Sequence, residues 1–338
     1  MILKNKYVIG THVMFYEIEL VKYYIRGLIN VLEPVENKKN VYIDFVFNVS
    51  EFFEKIDTDK MTKSSLIKKF EDEIDFLKSI VGEDLNLSVE IKDNDSEIYT
   101  QTNYRRELNT KYCYLTDYIL WGETDSHPPR ECFHALETLK VHTDENNLHR
   151  YLVSFADRKM WDDSWNPTVH PEYEKLQYIE EEATTNENFA KSPMSIEKMN
   201  HINSKMNNYD IQYITYPKID GSFLVMTSDL IKSGVNIPPC FIHNDDEALS
   251  MSSKLICGNQ FIQFIFKNLL KIHARRHPEK RLYVLGENNP KGLCGDADKG
   301  NWWEKYKKMS QFNVKNLFNS QVKFKTYQDL CDEITDIS

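Results

Sequence analysis

The sequence lacks several features that mark common classes of protein. Its six cysteines are scattered and contain no C-x-x-C pair, so they predict neither a zinc ribbon nor a small disulfide-rich domain. Basic residues number 42 against 52 acidic ones, for a net charge of -10, which argues against a nucleic-acid partner. No apolar run approaches the roughly 18 residues that cross a bilayer, and no signal peptide is visible. We therefore expect a cytoplasmic protein without a membrane span.

Three common catalytic signatures are also missing. The sequence contains no P-loop, no G-x-G-x-x-G and no G-x-S-x-G, which removes the usual NTPase, dinucleotide-binding and serine-hydrolase interpretations. What the chain does have is 338 residues that are 41% hydrophobic and 12% aromatic. That is enough apolar material for one large domain or two moderate ones.

The first 125 residues alternate segments typical of strands and helices. "KYVIGTH" predicts a strand, and a helix with an apolar stripe from Ile18 to Leu32 follows it and stops at Pro34. The apolar run 41–47 predicts a strand buried on both faces, a helix over about 61–80 comes next, and "LNLSVEI" and "DYILW" predict two more strands. The second helix is expected to bury Leu66, Phe70, Ile74, Phe76, Leu77 and Ile80. This alternation predicts an α/β fold with a mixed, mostly parallel open sheet flanked by helices.

The later part of the chain is less regular. "RYLVSFA", "YDIQYITYP" and "GSFLVMT" predict strands, and "NDDEALSMSSKLI" predicts a capped helix. "FIQFIFKNLLKIHARRH" predicts an amphipathic helix, because its apolar residues recur at helical spacing. Those residues are Phe261, Phe264, Ile265, Leu269 and Ile272.

Two acids stand directly after the fourth predicted strand. Glu123 and Asp125 are one residue apart, so they point to the same side of an extended chain, and carboxylate pairs of this kind suit Mg²⁺ or Mn²⁺. Ligands of open α/β sheets bind beyond the carboxyl ends of the strands, where Gly10-Thr11-His12 and Asn48 are also expected. The alternative is that the two acids are turn residues near a helix N-terminus.

Other polar residues are candidates for the same site. Arg105 and Arg106 could clamp a phosphate, or could belong to a solvated helix face. Asp245 and Asp246 could supply a general base, and one of them could instead cap a helix. A third metal ligand could come from His273 or from His243.

Six motifs follow one another in an informative order over about residues 6–285: "VIGTHVMFYE", "YRRELN", "DYILWGETD", "DGSFLVMTSDLI", "NDDEALS" and "KIHARRH". In this order the chain resembles the nucleotide-sugar-dependent glycosyltransferases with the A-type, Rossmann-like fold. Their D-x-D metal motif corresponds to Glu123-Thr124-Asp125 here, with Glu in place of the first Asp, which is still a hard oxygen donor.

The resemblance implies a role for each matching residue. The metal ligands would be Glu123, Asp125 and His273, and the general base would be Asp245 or Asp246. The residues implied for binding the nucleotide and the donor sugar are Gly10, Thr11, His12, Asn48, Arg105, Arg106, Asn109, Gly221 and Ser222.

The resemblance also implies an activity and a domain organisation. The expected reaction moves a sugar from a UDP- or GDP-sugar to a hydroxyl acceptor such as a saccharide, with Mn²⁺ or Mg²⁺ and by inverting single displacement. The catalytic domain would span 1–285, with a nucleotide-binding half at 1–125, an acceptor half at 126–285 and a surface insertion at about 156–210. Residues 286–338 would form an extension or a lid.

Two alternatives remain open. One is a nucleotidyltransferase that makes a nucleotide sugar; such enzymes carry a Gly-rich loop with a basic residue after the first strand, and "GTHVMFYEIE" has only Gly10. The other is a non-catalytic carbohydrate-binding or interaction module in which the acids are structural.

Overall fold

The computed structural model describes most of the first 286 residues. The described ranges are 1–82, 84–159, 163–175, 194–214, 220–241, 243–274 and 279–286, with the separate positions 308, 309, 312, 313 and 316. The statements below concern these residues.

The first half of the chain alternates strand and helix as predicted. Its elements are β1 (Tyr7–Met14), α1 (Ile18–Leu32), β2 (Val41–Asn48), α2 (Lys63–Val81), β3 (Asn86–Lys92), α3 (Gln101–Tyr112) and β4 (Tyr118–Gly122). β1 pairs in parallel with both β2 and β4, and β2 pairs in parallel with β3.

The second half adds shorter and more varied elements. They are β5 (Ser126–His127), α4 (Cys132–Glu145), β6 (Arg150–Ala156), α5 (Ile196–Asn203), β7 (Ile211–Tyr213), β8 (Leu224–Thr227), α6 (Ser228–Lys232), α7 (Asp245–Cys257), β9 (Phe261–Leu270) and β10 (Ile272–His273). β5 and β10 form a separate two-stranded antiparallel sheet.

The main sheet has eight strands in the order β3-β2-β1-β4-β8-β6-β9-β7. β8 runs antiparallel to both of its neighbours, β7 runs antiparallel to β9, and the remaining pairs are parallel. The predicted α/β fold with a mixed, mostly parallel sheet is therefore confirmed.

Helices cover both faces of this sheet. One face packs with α1, α2 and α4 through side chains such as Ile25, Phe70 and Leu136. The other face packs with α3, α6 and α7 through side chains such as Leu108 and Leu249. Because each central strand has apolar partners above and below it, nearly every residue of β1, β2 and β4 is buried.

The predicted helix over the "FIQFIFKNLLKI" segment is wrong. These residues form β9, which lies between β6 and β7, and the chain then enters β10 at Ile272. The cause is that an inner strand covered on both faces carries apolar residues at nearly every position, and so it imitates helical spacing over a short window. His273 consequently belongs to a strand and not to a helix.

The buried face of α2 also differs from the prediction. Leu66, Phe70, Ile74 and Leu77 are buried as expected, and Val81 joins them. Phe76 and Ile80 are 46% and 56% exposed. The buried residues of α2 form one stripe along the helix, and these two residues lie outside it.

The predicted insertion and extension are described only in part. Of the segment 156–210, residues 160–162 and 176–193 lie outside the described residues; the described part includes α5, where Met199 and Ile202 pack against Leu270 and Ile272. The predicted extension 286–338 lies almost wholly outside them. Among the described helices, none is long and apolar enough to cross a membrane.

Candidate active site

Two carboxylates and one imidazole come together just beyond the carboxyl end of β4. One ligand atom each from Glu123, Asp125 and His273 lies within 4.8 Å of the others. The chain turns after β4 so that the amide of Ser126 donates to the carbonyl of Glu123 at 3.0 Å. The three residues predicted as metal ligands are therefore neighbours, and His273, not His243, is the histidine of this group.

The small sheet brings His273 to the acids. In it His273 pairs with Ser126, and the amide of Ala274 donates to the carbonyl of Asp125 at 2.6 Å. Nδ1 of His273 lies 2.9 Å from Oδ2 of Asp220, while Nε2 faces Oε2 of Glu123 at 3.5 Å and Oδ1 of Asp125 at 3.9 Å. A carboxylate on one ring nitrogen and hard ligands beside the other is the usual environment of a metal-binding histidine.

Burial and neighbouring charges oppose each other at these groups. Burial lowers the pKa of His273, but the negative charges of Asp220, Asp125 and Glu123 outweigh it and raise the pKa to about 9. Burial and the charge of Asp125 raise the pKa of Glu123, with Arg105 acting in the opposite direction. For Asp220, the charges of His273 and Lys271 outweigh burial and keep the pKa far below its usual range.

Lys271 and Asp157 extend the charged cluster into the interior. Nζ of Lys271 donates to Oδ2 of Asp220 at 3.0 Å and to the carbonyl of Ser222, and it lies 3.6 Å from Oδ2 of Asp157. Burial raises the pKa of Asp157 to about 6 although Lys271 is close. A small cavity beside His273 is lined by Asp157, Lys271 and Met194, among others.

Arg105 connects the acid pair to the start of α7. Its guanidinium donates to Oε1 of Glu123 at 2.6 Å, to Oδ2 of Asp245 at 2.7 Å and to the carbonyl of Gly221 at 3.1 Å. The side chain is almost fully buried and also lies 4.6 Å from the ring centre of Trp121. A Cβ at Gly221 would lie 2.7 Å from Nη1 of Arg105, so a larger residue here would push the guanidinium out of its present position.

The two candidate bases have different environments. Asp245 is held by Arg105 at 2.7 Å. Asp246 is partly buried, and its Oδ1 accepts a hydrogen bond from the amide of Glu247 at 2.7 Å. Burial and the adjacent charge of Asp245 raise the pKa of Asp246 to about 7.

The residues predicted at the end of the first strand lie inside it. β1 continues to Met14 and pairs with β2 over its whole length, so Gly10, Thr11 and His12 are strand residues. A Cβ at Gly10 would collide with Leu108 of α3. The hydroxyl of Thr11 lies 2.5 Å from that of Tyr24.

His12 and Asn48 are close to each other near the ends of β1 and β2. Nδ2 of Asn48 lies 3.4 Å from Nε2 of His12 and donates to the carbonyl of Tyr99 at 3.0 Å. The rings of Tyr99 and Tyr104 flank His12 at centroid distances of 5.7 and 5.9 Å. Burial, assisted by the charge of Arg105, lowers the pKa of His12 to about 3, so its imidazole is neutral.

Arg106, Asn109 and Ser222 bind other parts of the protein. The guanidinium of Arg106 donates to three backbone carbonyls of the segment 237–241 that leads to α7. Asn109 accepts from the indole of Trp121 at 3.0 Å and donates to Asn236 at 2.9 Å. The hydroxyl of Ser222 contacts that of Ser126.

Several charged residues of the site are absent from the sequence prediction. Asp220 stands in the motif "DGSFLVMTSDLI" without an assigned role, and Lys271, Asp157 and Lys280 also have no role in the sequence prediction. Nζ of Lys280 lies 3.1 Å from Oδ2 of Asp125. The only sequence signal for Asp220 was its position before "GSF"; nothing near Lys280 in the sequence indicated its partner.

Comparison with known proteins gives structural likeness at low sequence identity. No protein-family model and no curated protein matches the chain. A structure of S. aureus TarS in complex with UDP-GlcNAc has a TM-score of 0.43 and 12% identity, with 94% of this chain and 68% of that chain covered. M. tuberculosis glucosyl-3-phosphoglycerate synthase has a TM-score of 0.41 and 8% identity, with 96% and 86% covered.

Two further structures extend this comparison. A UDP-glucose pyrophosphorylase complexed with UDP-glucose has a TM-score of 0.35 and 10% identity, with 78% of this chain and 90% of that chain covered. Against another structure of S. aureus TarS, with a TM-score of 0.39 and 12% identity, 79% of this chain aligns and it spans 59% of the other chain's length. Because the TM-scores are below 0.5, the fold assignment rests on the sheet described above, and the reaction has to be inferred from the site.

Proposed function

We propose that the protein is a divalent-metal-dependent glycosyltransferase that moves a sugar from a nucleoside-diphosphate sugar, a UDP- or GDP-sugar, to a hydroxyl acceptor such as a saccharide. The observation that carries the proposal is the group formed by Glu123, Asp125 and His273 beyond the carboxyl end of β4. Open α/β sheets bind their ligands at such ends.

The chemistry of these residues fits Mg²⁺ or Mn²⁺. Glu123 and Asp125 supply hard oxygen atoms, and Asp220 orients the ring of His273 so that Nε2 is the atom facing them. When bound, the ion would neutralise the negative charge that develops on the leaving diphosphate.

Asp246 is the better candidate for the general base. A base works best when its pKa lies near the working pH, and the pKa of Asp246 is raised to about 7. Asp245 is paired with Arg105, and its negative charge helps to raise the pKa of Asp246. In this proposal Asp246 removes the proton of the acceptor hydroxyl, whose oxygen attacks the anomeric carbon opposite the departing diphosphate, and the configuration is inverted.

The proposal assigns positions to the other predicted residues. His12 and Asn48 lie side by side near the ends of β1 and β2, where they would shape the wall of the nucleotide site. His12 is buried between the rings of Tyr99 and Tyr104, so it would act by positioning these neighbours. Arg105 would organise the site through its hydrogen bonds to Glu123, Asp245 and Gly221. The catalytic unit is proposed to span 1–285, with 286–338 as its extension.

Binding of nucleoside diphosphates with and without Mn²⁺ tests the proposal. A thermal-shift and calorimetric panel of UDP, GDP and other diphosphates should give metal-dependent stabilisation by one of them, and a ligand at 100 times its Kd adds about 2.7 kcal/mol. Asp125→Ala should abolish this effect. Asp72→Ala is the matched control, because Asp72 is exposed on α2 and should change nothing.

Three outcomes separate the alternatives. Metal-dependent binding that Asp125→Ala abolishes supports the proposal, and release of a nucleoside diphosphate from the sugar donor distinguishes it from a nucleotidyltransferase, which would release pyrophosphate from a triphosphate. Equal binding by the wild type and Asp125→Ala, or none by either, would contradict it and favour a non-catalytic module with structural acids.

A further inference from the structure

Residues 279–286, here called the strap, run along the rim of the site. Main-chain hydrogen bonds hold the strap: the amide of Arg281 donates to the carbonyl of Tyr16 at 2.7 Å, and that of Leu285 donates to the carbonyl of Lys55 at 2.8 Å. In return the amide of Asp57 donates to the carbonyl of Tyr283 at 2.8 Å. The strap is therefore fixed to the segments that follow β1 and β2.

Side chains reinforce the docking of the strap. Glu279 pairs with Lys22 of α1 at 2.8 Å, and Arg281 pairs with Glu54 at 2.8 Å. The phenol of Tyr283 donates to Glu19. These contacts do not involve Lys280, so they can keep the strap in place when the side chain of Lys280 changes partners.

Lys280 extends from the strap into the group of predicted metal ligands. Its Nζ lies 3.1 Å from Oδ2 of Asp125 and 2.9 Å from Oε1 of Glu17, and the side chain is only 11% exposed. Asp125 is 6% exposed. The Coulomb attraction within an ion pair shielded from water in this way is stronger than that within a pair at the surface.

A divalent cation and the ammonium of Lys280 would compete for the carboxylate of Asp125. Each would neutralise a carboxylate that also lies near Glu123 and near Nε2 of His273. A cation bound to Asp125 would be repelled by an ammonium held at 3.1 Å from the same carboxylate, since like charges in a partly desolvated site interact strongly.

We propose that Lys280 is a built-in counter-ion of Asp125 that a divalent cation has to displace before it occupies the Glu123, Asp125 and His273 group. Glu17, which already lies 2.9 Å from Nζ of Lys280, retains the displaced ammonium. The inference rests on the proposed metal site, and it adds a residue of the strap to the machinery of that site.

Titration with Mn²⁺ alone, without nucleotide, tests this inference. Calorimetry or electron paramagnetic resonance of free Mn²⁺ gives the Kd of the full-length protein directly, with no activity readout. Lys280→Gln should bind Mn²⁺ at least about tenfold more tightly than the wild type, the size expected when a competing charged hydrogen bond is lost. Lys280→Arg keeps the charge and should remain within about threefold of the wild type.

Lys68→Gln is the matched control. It removes the same charge from an exposed lysine of α2 that pairs with Asp72, and it should change the Kd less than about twofold. An equal gain in Lys68→Gln and Lys280→Gln would overturn the inference, because it would show a general effect of net charge.

The remaining outcomes distinguish this inference from the proposed function. If the wild type and Lys280→Gln bind Mn²⁺ equally and Asp125→Ala does not bind it, the metal site stands and the role of Lys280 is overturned. If Lys280→Gln binds Mn²⁺ and the wild type does not without nucleotide, displacement is supported. If none of the variants binds Mn²⁺ even with a nucleoside diphosphate, both inferences fail.

Discussion

Replacement of Arg105 by methionine is predicted to be among the most destabilising single changes near the site. Arg105 is 3% exposed, and its guanidinium makes two ion pairs, at 2.6 Å to Glu123 and 2.7 Å to Asp245, besides a hydrogen bond to the carbonyl of Gly221. Methionine fills most of the volume but leaves two carboxylates with only weaker partners. Loss of one member of a buried charge network costs about 3–5 kcal/mol, and we expect a loss in this range.

Equilibrium urea unfolding of wild type and Arg105→Met, followed by circular dichroism, measures this loss. The double variant Arg105→Met with Asp245→Asn should lose clearly less than the sum of the two single variants, because the second change removes a carboxylate that the first has left unpaired. Lys68→Met is the control. Its pair with Asp72 is exposed on α2, so it should cost less than about 0.5 kcal/mol.

The measured loss in the free energy of unfolding of Arg105→Met decides between two roles for this residue. A loss below about 1 kcal/mol, or strict additivity with Asp245→Asn, would refute the view that Arg105 joins β4 to α7 through a buried ionic network. It would instead favour the sequence-based prediction that the guanidinium is available for a phosphate of the donor.

Two further predictions follow from the geometry. Gly221→Ala should destabilise the protein by about 1–3 kcal/mol in the same urea assay, because the new Cβ would lie 2.7 Å from Nη1 of Arg105. The control Ser79→Ala, at an exposed position, should have little effect. Equal effects of the two substitutions would contradict the close approach. The folded-state pKa of His12 is lowered to about 3, so the stability that its neutral form contributes is fully present above about pH 6.5 and is lost as the pH falls toward 3. Between pH 7 and pH 5 the free energy of unfolding of His12→Gln should therefore fall by about 2 kcal/mol less than that of the wild type. Identical pH profiles of the two proteins would contradict this.

The sequence predicts the first half of the fold better than the second. Buried strands and amphipathic helices alternate up to β4, and the strong helical stripe of α1 leaves little choice. The run Phe261–Leu270 is apolar enough for either a helix or an inner strand, and only its neighbours β6 and β7 decide the matter. Those pairings join residues about 50 to 115 positions apart in the chain, which local periodicity does not contain.

Part of the site can likewise be predicted from neighbouring residues in the sequence, and part depends on contacts between distant segments. Glu123 and Asp125 could be predicted because a strand end and two hard ligands stand together in the sequence. His273 could be proposed from its residue type, but the pairing of β5 with β10 is what places it. Asp220, Lys271 and Lys280 reach the acids from segments that only the tertiary fold brings close, so the sequence by itself gives no signal for their contacts.

The charges of the site connect the proposed metal with the proposed donor. The carboxylates of Glu123, Asp125 and Asp220 are accompanied by three basic groups, those of Lys271, His273 and Lys280, and Arg105 is already shared with Asp245. The acid pair therefore has local counter-charges before any divalent cation arrives. A divalent ion at this place would bring positive charge that is already partly shared with these groups, and a diphosphate is an anion of suitable charge and geometry to bind it. Because binding couplings are reciprocal, the nucleotide should tighten the binding of Mn²⁺ by the same factor by which Mn²⁺ tightens the binding of the nucleotide.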